Sequence, residues 1–263
     1  MDSFRGRTAL ITGASSGLGV EFARQLAAQG CNLVLVARRE EPMRKLAEEL
    51  TGEHDIRTRV ISLDLARPEA AGELHDQLQR SAIDIDVLIN NAGFGMYGRF
   101  EDDDPVRLRD MQLLNMVTLT ELTRLFLEPM KERGEGRIIQ IGSIASFQPG
   151  PLFAAYSATK AYVLSLGEAL NEELRGTGVR CTVVCPGVTA TEFLDTAGQQ
   201  GKVSLYQRLF MMESPAVVRA GLRASLRGRS SVVTGVLNKL QIFFLRFVSR
   251  GFAARAGHIA MKM

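Results

Sequence analysis

The chain has 263 residues, of which 46% are hydrophobic and 23% charged, a globular balance that excludes extensive disorder. Three cysteines and three histidines are scattered along it, which excludes a disulfide scaffold and leaves little material for a metal site. With no tryptophan and 6% aromatic residues, a nucleic-acid stacking platform is disfavoured, and we expect no nucleic-acid partner.

Targeting signals are not evident in the sequence. The start, MDSFRGRTALITG, lacks the apolar stretch of a signal peptide. No uncharged apolar run approaches the ~20 residues needed to cross a bilayer. Unpaired thiols are typical of a reducing compartment, so we expect a cytoplasmic protein.

Charge is divided unevenly along the chain. Residues 214–263 contain nine basic side chains and no acidic ones. Residues 1–213 contain 23 basic and 29 acidic side chains, a net charge of −6. The last fifth of the sequence is therefore a basic segment attached to an acidic body.

Short apolar runs alternate with amphipathic stretches from the start of the chain. Strands are predicted at Thr8–Thr12, Asn32–Ala37, Arg59–Leu63, Val87–Ile89, Arg137–Ile141 and Val179–Cys185. Helices are predicted at Leu18–Gln29, Pro42–Leu50, Pro68–Arg80, Val106–Lys131 and Ala154–Arg175. This alternation predicts an α/β fold in which helices cover both faces of a parallel sheet. Because no linker or repeat interrupts it, we expect one domain over residues 1–235, followed by a C-terminal extension, 236–263.

A glycine-rich loop follows the first predicted strand. It reads Thr12, Gly13, Ala14, Ser15, Ser16, Gly17, Leu18, Gly19, and a helical pattern begins at once. Glycine backbone lets a pyrophosphate approach closely, and the next helix offers free N–H groups and its positive dipole end. A structural turn is the alternative interpretation, and the position after the first strand favours the phosphate-binding one.

The same residues match a second motif. Gly13 to Gly17 fits the G-x-S-x-G nucleophile elbow of serine hydrolases. That interpretation requires an acid and then a histidine downstream, and His258, in the basic segment, has no recognisable partner pattern. An elbow also normally follows several strands rather than one. We therefore disfavour a hydrolase.

Further motifs follow in order: Asp64 after the third strand, Asn90-Asn91-Ala92-Gly93 after the fourth, Asn115, Ser143, Tyr156-Ser157-Ala158-Thr159-Lys160, and Pro186-Gly187 after the sixth. With the glycine loop, they make the region from about Arg7 to Gly235 resemble a single-domain short-chain dehydrogenase/reductase. The resemblance implies a Rossmann-type doubly wound sheet and a homodimer or homotetramer.

Tyr156 and Lys160 are four residues apart on a predicted helix, so their side chains share one face. At an effective dielectric constant of ~20, a cation ~4 Å away favours tyrosinate by ~4 kcal/mol, so we expect Lys160 to lower the pKa of Tyr156. Tyr156 would then serve as acid or base near neutral pH. Ser143, at the end of the fifth strand, can donate a hydrogen bond to a substrate carbonyl oxygen.

The resemblance implies further roles for individual residues. Lys160 would also hold the nicotinamide ribose, and Asn115 would support a water relay that feeds protons to Tyr156. Cofactor contacts are implied for Thr12, Gly13, Ser15, Ser16, Gly17, Leu18, Gly19, Asp64, Leu65, Asn91, Ala92, Gly93, Tyr156, Lys160, Pro186, Gly187, Val188 and Thr191. Taken singly, each catalytic candidate also fits an ordinary structural role.

The end of the second strand indicates which cofactor is preferred. An acidic residue there would bind the ribose 2′-hydroxyl of NAD, whereas arginine suits a 2′-phosphate. Here the position is Ala37, followed by Arg38 and Arg39. Arg38 is the better candidate because its planar fork of donors matches phosphate, with a solvated surface charge as the alternative. We therefore predict NADP(H).

Two groups of possible ligands receive structural interpretations. Asp102, Asp103 and Asp104 precede Pro105 and are typical of a helix N-terminus rather than of a metal site. Cys181 and Cys185 share one face of a predicted strand and are expected to be core thiols.

The segment from about Thr189 to Pro215 resembles the family's substrate lid. Its apolar residues are Phe193, Leu194, Leu205, Tyr206, Leu209, Phe210, Met211 and Met212. Such a lid suggests a lipophilic carbonyl or alcohol as substrate, and helix packing against the body is the equal alternative.

From Val236 the sequence reads VLNKLQIFFLRFVSRGF, with apolar residues at helical spacing. We expect one amphipathic helix that is too short and too charged to span a membrane. Its apolar face is expected to be covered by the body, by another subunit or by lipid. The family resemblance implies subunit contacts through the C-terminal region, which makes packing the default. Clustered Lys and Arg beside aromatic residues also suit peripheral contact with an anionic membrane surface.

These features predict an NADP(H)-dependent oxidoreductase that reduces a ketone or aldehyde. The alternative is a non-catalytic dinucleotide sensor or scaffold that keeps the fold and binds a protein partner. Loss of Tyr156 or Lys160 would favour the sensor, and both residues are present.

Overall fold

The computed structural model describes residues 1–189, Ala197 and residues 211–262, with side chains through Ile259. In this part of the chain seven strands form one parallel sheet, ordered β3-β2-β1-β4-β5-β6-β7. The strands are β1 (Thr8–Thr12), β2 (Asn32–Ala37), β3 (Thr58–Ser62), β4 (Val87–Asn90), β5 (Gly136–Ile141), β6 (Val179–Cys185) and β7 (Ser231–Val233). The helices are α1 (Gly17–Ala27), α2 (Glu40–Glu53), α3 (Ala70–Arg80), α4 (Pro105–Gln112), α5 (Leu119–Glu132), α6 (Ala154–Glu173), α7 (Ser214–Leu226), α8 (Val236–Leu245) and α9 (Arg250–Lys262).

Successive side chains of each central strand serve opposite faces of the sheet. In β1, Leu10 is in register with Val34 and Leu88, and all three belong to the core under α3 and α5. Ile11 is in register with Leu35, and both belong to the core under α1, α2 and α7. This burial on both faces explains the nearly continuous apolar strands and confirms the predicted doubly wound fold.

The predicted strands all form, with ends shifted by one residue in three of them. The sequence analysis missed β7, whose three half-buried residues at the sheet edge give too short an apolar run to predict. The stretch Val106–Lys131 is wrong as a single helix: a π-helical segment, Leu113–Thr118, separates α4 from α5. As expected, Asp104 caps α4, where its Oδ1 accepts from the Val106 N–H at 3.0 Å.

The C-terminal extension differs from the single helix predicted over 236–252. α8 ends at Leu245, where the Phe247 N–H turns back to the Phe244 carbonyl oxygen at 3.0 Å. α9 then begins at Arg250, with the Ser249 hydroxyl accepting from the Phe252 N–H at 3.2 Å. No helix in the described ranges is long and apolar enough to cross a bilayer. The division of the chain at residue 235 stays a prediction.

A close approach at Gly167 sets the position of α6. A Cβ added there would lie 2.2 Å from Val183 Cγ2 and 2.7 Å from Gln140 Oε1. Without a side chain at this position, α6 can pack directly against β5 and β6. Because α6 also carries Tyr156 and Lys160, this contact fixes the distance of both side chains from the sheet.

We expect Gly167→Ala to lower the free energy of unfolding by about 1–3 kcal/mol, because the added methyl group collides with a packed core. Gly72→Ala in α3 is the matched control, since a Cβ there meets nothing within 4 Å. That control should be neutral or raise stability by about 1 kcal/mol through unfolded-state entropy. Urea unfolding of both variants measures the difference, and equal stabilities would contradict the packing constraint.

Candidate active site

A cavity of about 810 Å³ opens at the carboxyl ends of the central strands. Its walls come from the glycine loop after β1, the ends of β2, β4 and β5, the start of α6, the turn after β6 and the C-terminal helices. The strand order reverses between β1 and β4, and crevices at such a reversal are where doubly wound folds bind ligands. The fold therefore places the predicted site residues around one crevice.

The glycine loop is held tightly against the loop after β4. A Cβ on Gly19 would lie 2.2 Å from the Gly13 carbonyl oxygen, so only glycine fits there without a shift. The Thr12 hydroxyl accepts from the Asn91 and Ala92 N–H groups at 3.0 and 2.9 Å. In return, Asn91 Nδ2 donates to the Thr12 and Gly13 carbonyl oxygens at 2.9 and 3.2 Å. Side chains thus join the two loops on either side of the crevice.

These walls fit a dinucleotide. Gly13 and Gly17 of the loop face the cavity without side chains, and α1 begins beside them. The first turn of α1 contains no acidic residue that would repel a bound anion. Asp64 lies further along the cavity, although its Oδ1 also accepts from the Ala66 N–H at 3.0 Å, as in a simple turn. The exposed Arg38 stands at the cavity edge.

Arg39 is a second cavity arginine that sequence analysis passed over in favour of Arg38. Its guanidinium donates to the Ser15 hydroxyl at 3.4 Å and to the Ser15 carbonyl oxygen at 3.3 Å. The pair Arg38-Arg39 was visible in the sequence, but which of the two side chains turns toward the glycine loop depends on the start of α2 at Glu40.

Most of the predicted cofactor residues line the cavity, namely Gly13, Ser15, Ser16, Gly17, Leu18, Arg38, Asp64, Leu65, Asn91, Ala92, Gly93, Tyr156, Lys160, Pro186, Gly187 and Val188. Thr12 and Gly19 stand behind the wall and shape it. Thr191 and the lid residues from Phe193 to Phe210 lie outside the described residues. Of the apolar lid residues, Met211 and Met212 are described, and the Met212 N–H donates to the Val188 carbonyl oxygen at 2.9 Å.

Ser143, Tyr156 and Lys160 meet on one side of the cavity. Ser143 follows β5, and its side chain hydrogen-bonds Tyr156 and accepts from the Ala145 N–H at 3.1 Å. Ser146 fixes this turn to α6, since its hydroxyl accepts from the Ser143 N–H and donates to the Lys160 carbonyl oxygen. The Lys160 Nζ donates to the Ile141 carbonyl oxygen at 2.8 Å.

Burial dominates the electrostatics of this group. It raises the pKa of Tyr156 to about 12, partly opposed by the hydrogen bond from Ser143. Burial also lowers the pKa of Lys160 to about 8. The expectation that Lys160 lowers the tyrosine pKa is therefore wrong for this geometry. The reason is burial of the hydroxyl, while the Lys160 Nζ lies 5.8 Å from the Tyr156 ring centroid and donates to a main-chain carbonyl oxygen.

Asn115 lies in the π-helical segment and is fully buried behind the cavity wall. Its Nδ2 donates to the Phe94 carbonyl oxygen at 3.0 Å and to Thr159 Oγ1 at 3.1 Å, while its Oδ1 accepts from the Phe94 N–H at 3.2 Å. The side chain thus joins the loop after β4 to α6. The water relay that the resemblance implies for Asn115 stays a prediction.

Two parts of the wall were not predicted. An aromatic cluster lies next to Tyr156, where the Phe153 ring centroid is 5.1 Å from that of Tyr97 and 5.9 Å from that of Tyr156. The C-terminal helices supply the second part, with Gln241, Phe244, Leu245, Val248, Phe252, Ala253, Ala256 and Gly257. The sequence showed their helical spacing, but the spacing alone could not predict that these residues line the cavity.

The thiols are core residues, as expected. Cys181 and Cys185 are fully buried, and burial raises the pKa of each to about 12. In the ranges that the structure describes, no group of three or more His, Cys, Asp or Glu side chains could hold a metal ion.

The buried ammonium of Lys160 makes stability depend on pH. Because its pKa is about 8 in the folded chain and about 10.5 when unfolded, the unfolded chain binds more protons between these values. Stability should therefore rise with pH there, and relative to Lys160→Met the unmodified protein should gain about 2–3 kcal/mol from pH 7 to pH 10.5. Urea unfolding of both proteins across this range measures it. A constant difference would show that the ammonium is not buried in the folded state.

Comparison with known proteins identifies the family. A family model described as short chain dehydrogenase matches residues 7–202. The ketoacyl reductase HetN of Nostoc sp. is 38% identical over 71% of this chain, which spans 65% of that protein. A very-long-chain 3-oxoacyl-CoA reductase of Aspergillus clavatus is 33% identical, and this chain spans 53% of its length.

Solved structures extend the similarity to nearly the whole chain. A short-chain dehydrogenase from Sphingobium yanoikuyae in complex with NADPH is 31% identical, with a TM-score of 0.79 over 93% of this chain and 97% of that one. With the family model matching most of the sequence and the same doubly wound sheet in the structure, the chain belongs to the short-chain dehydrogenase family and is an oxidoreductase.

Proposed function

We propose that the protein reduces a ketone or aldehyde group on a lipophilic substrate, using NADP(H), with Tyr156 as the proton donor. The observation that carries this proposal is the meeting of Ser143, Tyr156 and Lys160 in the same cavity as the glycine loop. A proton donor and a dinucleotide site in one crevice are what hydride transfer to a carbonyl requires.

The choice of NADP(H) is supported by charge at the cavity edge. Arg38 and Arg39 both lie there, and Asp64 is the one carboxylate among the described lining residues. A guanidinium fork matches a 2′-phosphate, and a carboxylate would repel it. The Sphingobium yanoikuyae dehydrogenase was solved with NADPH, which agrees with this choice.

In this proposal the chain's residues hold the substrate and move one proton. When bound, the cofactor supplies the hydride. Ser143 donates a hydrogen bond to the carbonyl oxygen, where negative charge develops, and Tyr156 delivers its proton to that oxygen. Lys160 holds the nicotinamide ribose, with its Nζ at the cavity wall beside Tyr156. Asn115 keeps the loop at Gly93 in place and supports the proposed water relay.

The protonated form of Tyr156 is the form that carbonyl reduction uses. With a pKa of about 12, the hydroxyl is protonated at neutral pH and is ready to act as an acid. Oxidation of an alcohol instead requires a tyrosinate that accepts a proton. The buried side chain therefore begins in the state that carbonyl reduction needs.

A lipophilic substrate agrees with the rest of the wall. Phe153 lies beside Tyr156, and Phe94, Leu245, Val248 and Phe252 also line the cavity. Apolar and aromatic lining of this kind stabilises a bound apolar molecule by burial. The oxoacyl reductases among the relatives and a structure of a bulky-bulky ketone specific alcohol dehydrogenase from Comamonas testosteroni point to carbonyl compounds of this type. A homodimer or homotetramer stays a prediction of the family resemblance.

Tyr156→Phe removes the proton donor and should lower turnover by a factor on the order of 10² or more, with NADPH binding retained. Tyr162→Phe is the matched control, because Tyr162 lies on the same helix but bonds Thr120 outside the cavity. NADPH oxidation with a panel of apolar ketones measures turnover. Equal turnover of Tyr156→Phe and the unmodified protein would contradict the assignment, whereas NADPH binding without turnover on any substrate would favour the sensor alternative.

The combined change Ala37→Asp, Arg38→Leu and Arg39→Leu should shift the preference from NADPH toward NADH. Loss of a charge-assisted contact costs about 1.5–3 kcal/mol, which corresponds to roughly 10–100-fold weaker NADPH binding. Arg44→Leu, on the exposed side of α2 outside the cavity, is the control. Dissociation constants follow from cofactor fluorescence. Tighter binding of NADH than of NADPH by the unmodified protein would refute the choice of cofactor.

A further inference from the structure

We propose that the outer face of α8 and α9 docks onto an anionic phospholipid surface. This docking surface consists of Val236, Leu237, Leu240, Phe243, Phe244, Phe247, Val248, Phe252 and Ile259, together with the basic residues Lys239, Arg246, Arg250 and Arg255. Docking goes beyond the proposed reaction and does not require it.

Exposed apolar residues are concentrated in this surface. Of the thirteen large hydrophobic side chains exposed in the described part of the chain, nine lie between Val236 and Ile259. Val236 and Phe247 are each 73% exposed and Phe252 is 62% exposed. The Phe243 ring centroid lies 5.7 Å from that of Phe244 and 5.4 Å from that of Phe247. Phe243, Phe244 and Phe247 therefore form one contiguous aromatic patch, and such exposed patches mark interaction sites.

The angular arrangement on α8 separates an apolar stripe from a charged edge. At 100° per residue, Val236, Leu240 and Phe243 of α8 fall within about 60° of one another, and Phe247, in the turn after the helix, contacts Phe243. Lys239 and Arg246 lie along one side of this stripe and are exposed. The opposite side carries Asn238 and Ile242, which are buried against the body. The helix is therefore anchored on one side and presents an apolar stripe with a basic edge on the other.

Charge favours lipid as the occupant. Four basic residues from Lys239 to Arg255 are exposed, and the sequence contains no acidic residue after Glu213. Near an anionic bilayer each such residue adds about 1 kcal/mol of attraction, while apolar side chains enter the interface. No other described part of the chain combines a large exposed aromatic patch with an uninterrupted basic sequence.

A second copy of the chain fits the same face less well. Two-fold association brings identical surfaces together, so the basic residues of one copy would approach those of the other without any acidic residue between them. A lipid surface supplies negative charge beside an apolar layer, which matches both features of the face. Self-association is therefore the alternative that the experiment must separate.

The docking surface continues into the mouth of the cavity. Phe244, Val248 and Phe252 are exposed and also line the cavity. Gln241 and Leu245 continue the same side of α8 inward. Docking would therefore place the cavity mouth at the lipid boundary, whatever the enzyme's substrate is.

The test is co-sedimentation of the full-length protein with two kinds of vesicle, phosphatidylcholine alone and equal parts of phosphatidylcholine and phosphatidylglycerol. We expect sedimentation with the anionic vesicles, weak sedimentation with the neutral ones, and release at high salt. Phe243→Ser with Phe247→Ser should weaken anionic binding at least about tenfold, and so should Lys239→Gln with Arg246→Gln. None of these four residues lines the cavity.

Matched controls make the same changes elsewhere. Phe100→Ser removes a phenylalanine that is 60% exposed and lies outside the docking surface, and Lys45→Gln removes an exposed charge on α2. Both should bind anionic vesicles like the unmodified protein. NADPH binding and thermal unfolding verify that the docking-surface variants remain folded.

Light scattering without lipid measures the oligomeric state and so distinguishes a second copy of the chain from a lipid surface as the partner of this face. Dissociation of an oligomer by the Phe243 and Phe247 changes, with no vesicle binding by the unmodified protein, would assign the face to a second copy and overturn the proposal. Equal binding to neutral and anionic vesicles would also overturn it, and so would binding to anionic vesicles that the docking-surface variants leave unchanged. Binding to anionic vesicles that is lost only in the docking-surface variants supports it, with or without NADPH oxidation.

Discussion

The site depends on the close contact between the first βα turn and the start of α1. At Gly19 this contact leaves no space for a Cβ beside the Gly13 carbonyl oxygen. Asn91 holds the same turn from the other side of the crevice through two hydrogen bonds to its carbonyl oxygens. The strands β1 and β4 pair directly up to Ile11 and Ile89, and beyond their ends the Asn91 hydrogen bonds continue the link between the two loops that border the crevice. The relative position of the two loops is therefore set by the Asn91 amide and by the absence of a side chain at Gly19.

From this contact a connected set of polar groups leads to the catalytic side chains. Gly93 lies against Asn115, which bonds Thr159 one position before Lys160. Each of these buried groups would cost free energy if left unpaired, so the hydrogen bonds restrict how the helix and loop can move relative to each other. The Lys160 ammonium is buried without full compensation. Its pKa of about 8 shows that desolvation outweighs its hydrogen bond to the Ile141 carbonyl oxygen. Because water solvates this ammonium poorly, it can interact strongly with a polar group of a molecule bound in the cavity.

The sequence predicted the sheet because its strands are buried on both faces, so their composition alone identifies them. It failed at β7 and at the π-helical segment, where tertiary contacts rather than local pattern decide the conformation. Motif spacing correctly indicated that Ser143, Tyr156 and Lys160 come together. It gave the wrong direction for the pKa of Tyr156, because burial and the orientation of Lys160 are properties of the packed structure. Arg39 shows the same limit, since an arginine pair in a sequence does not reveal which side chain faces the loop.

The C-terminal helices show why one periodic pattern can conceal two functions. A single amphipathic helix has one apolar face, yet α8 is apolar over a wider arc than its contact with the body can bury. Asn238 and Ile242 occupy the buried side, Leu245 lies along the cavity, and Phe243 and Phe247 remain outside. Hydrophobicity alone assigns these residues to one surface, whereas the structure divides them between a wall and an exterior. An exterior that stays apolar after the wall is complete is not needed for folding, so its aromatic and basic composition points to a binding partner.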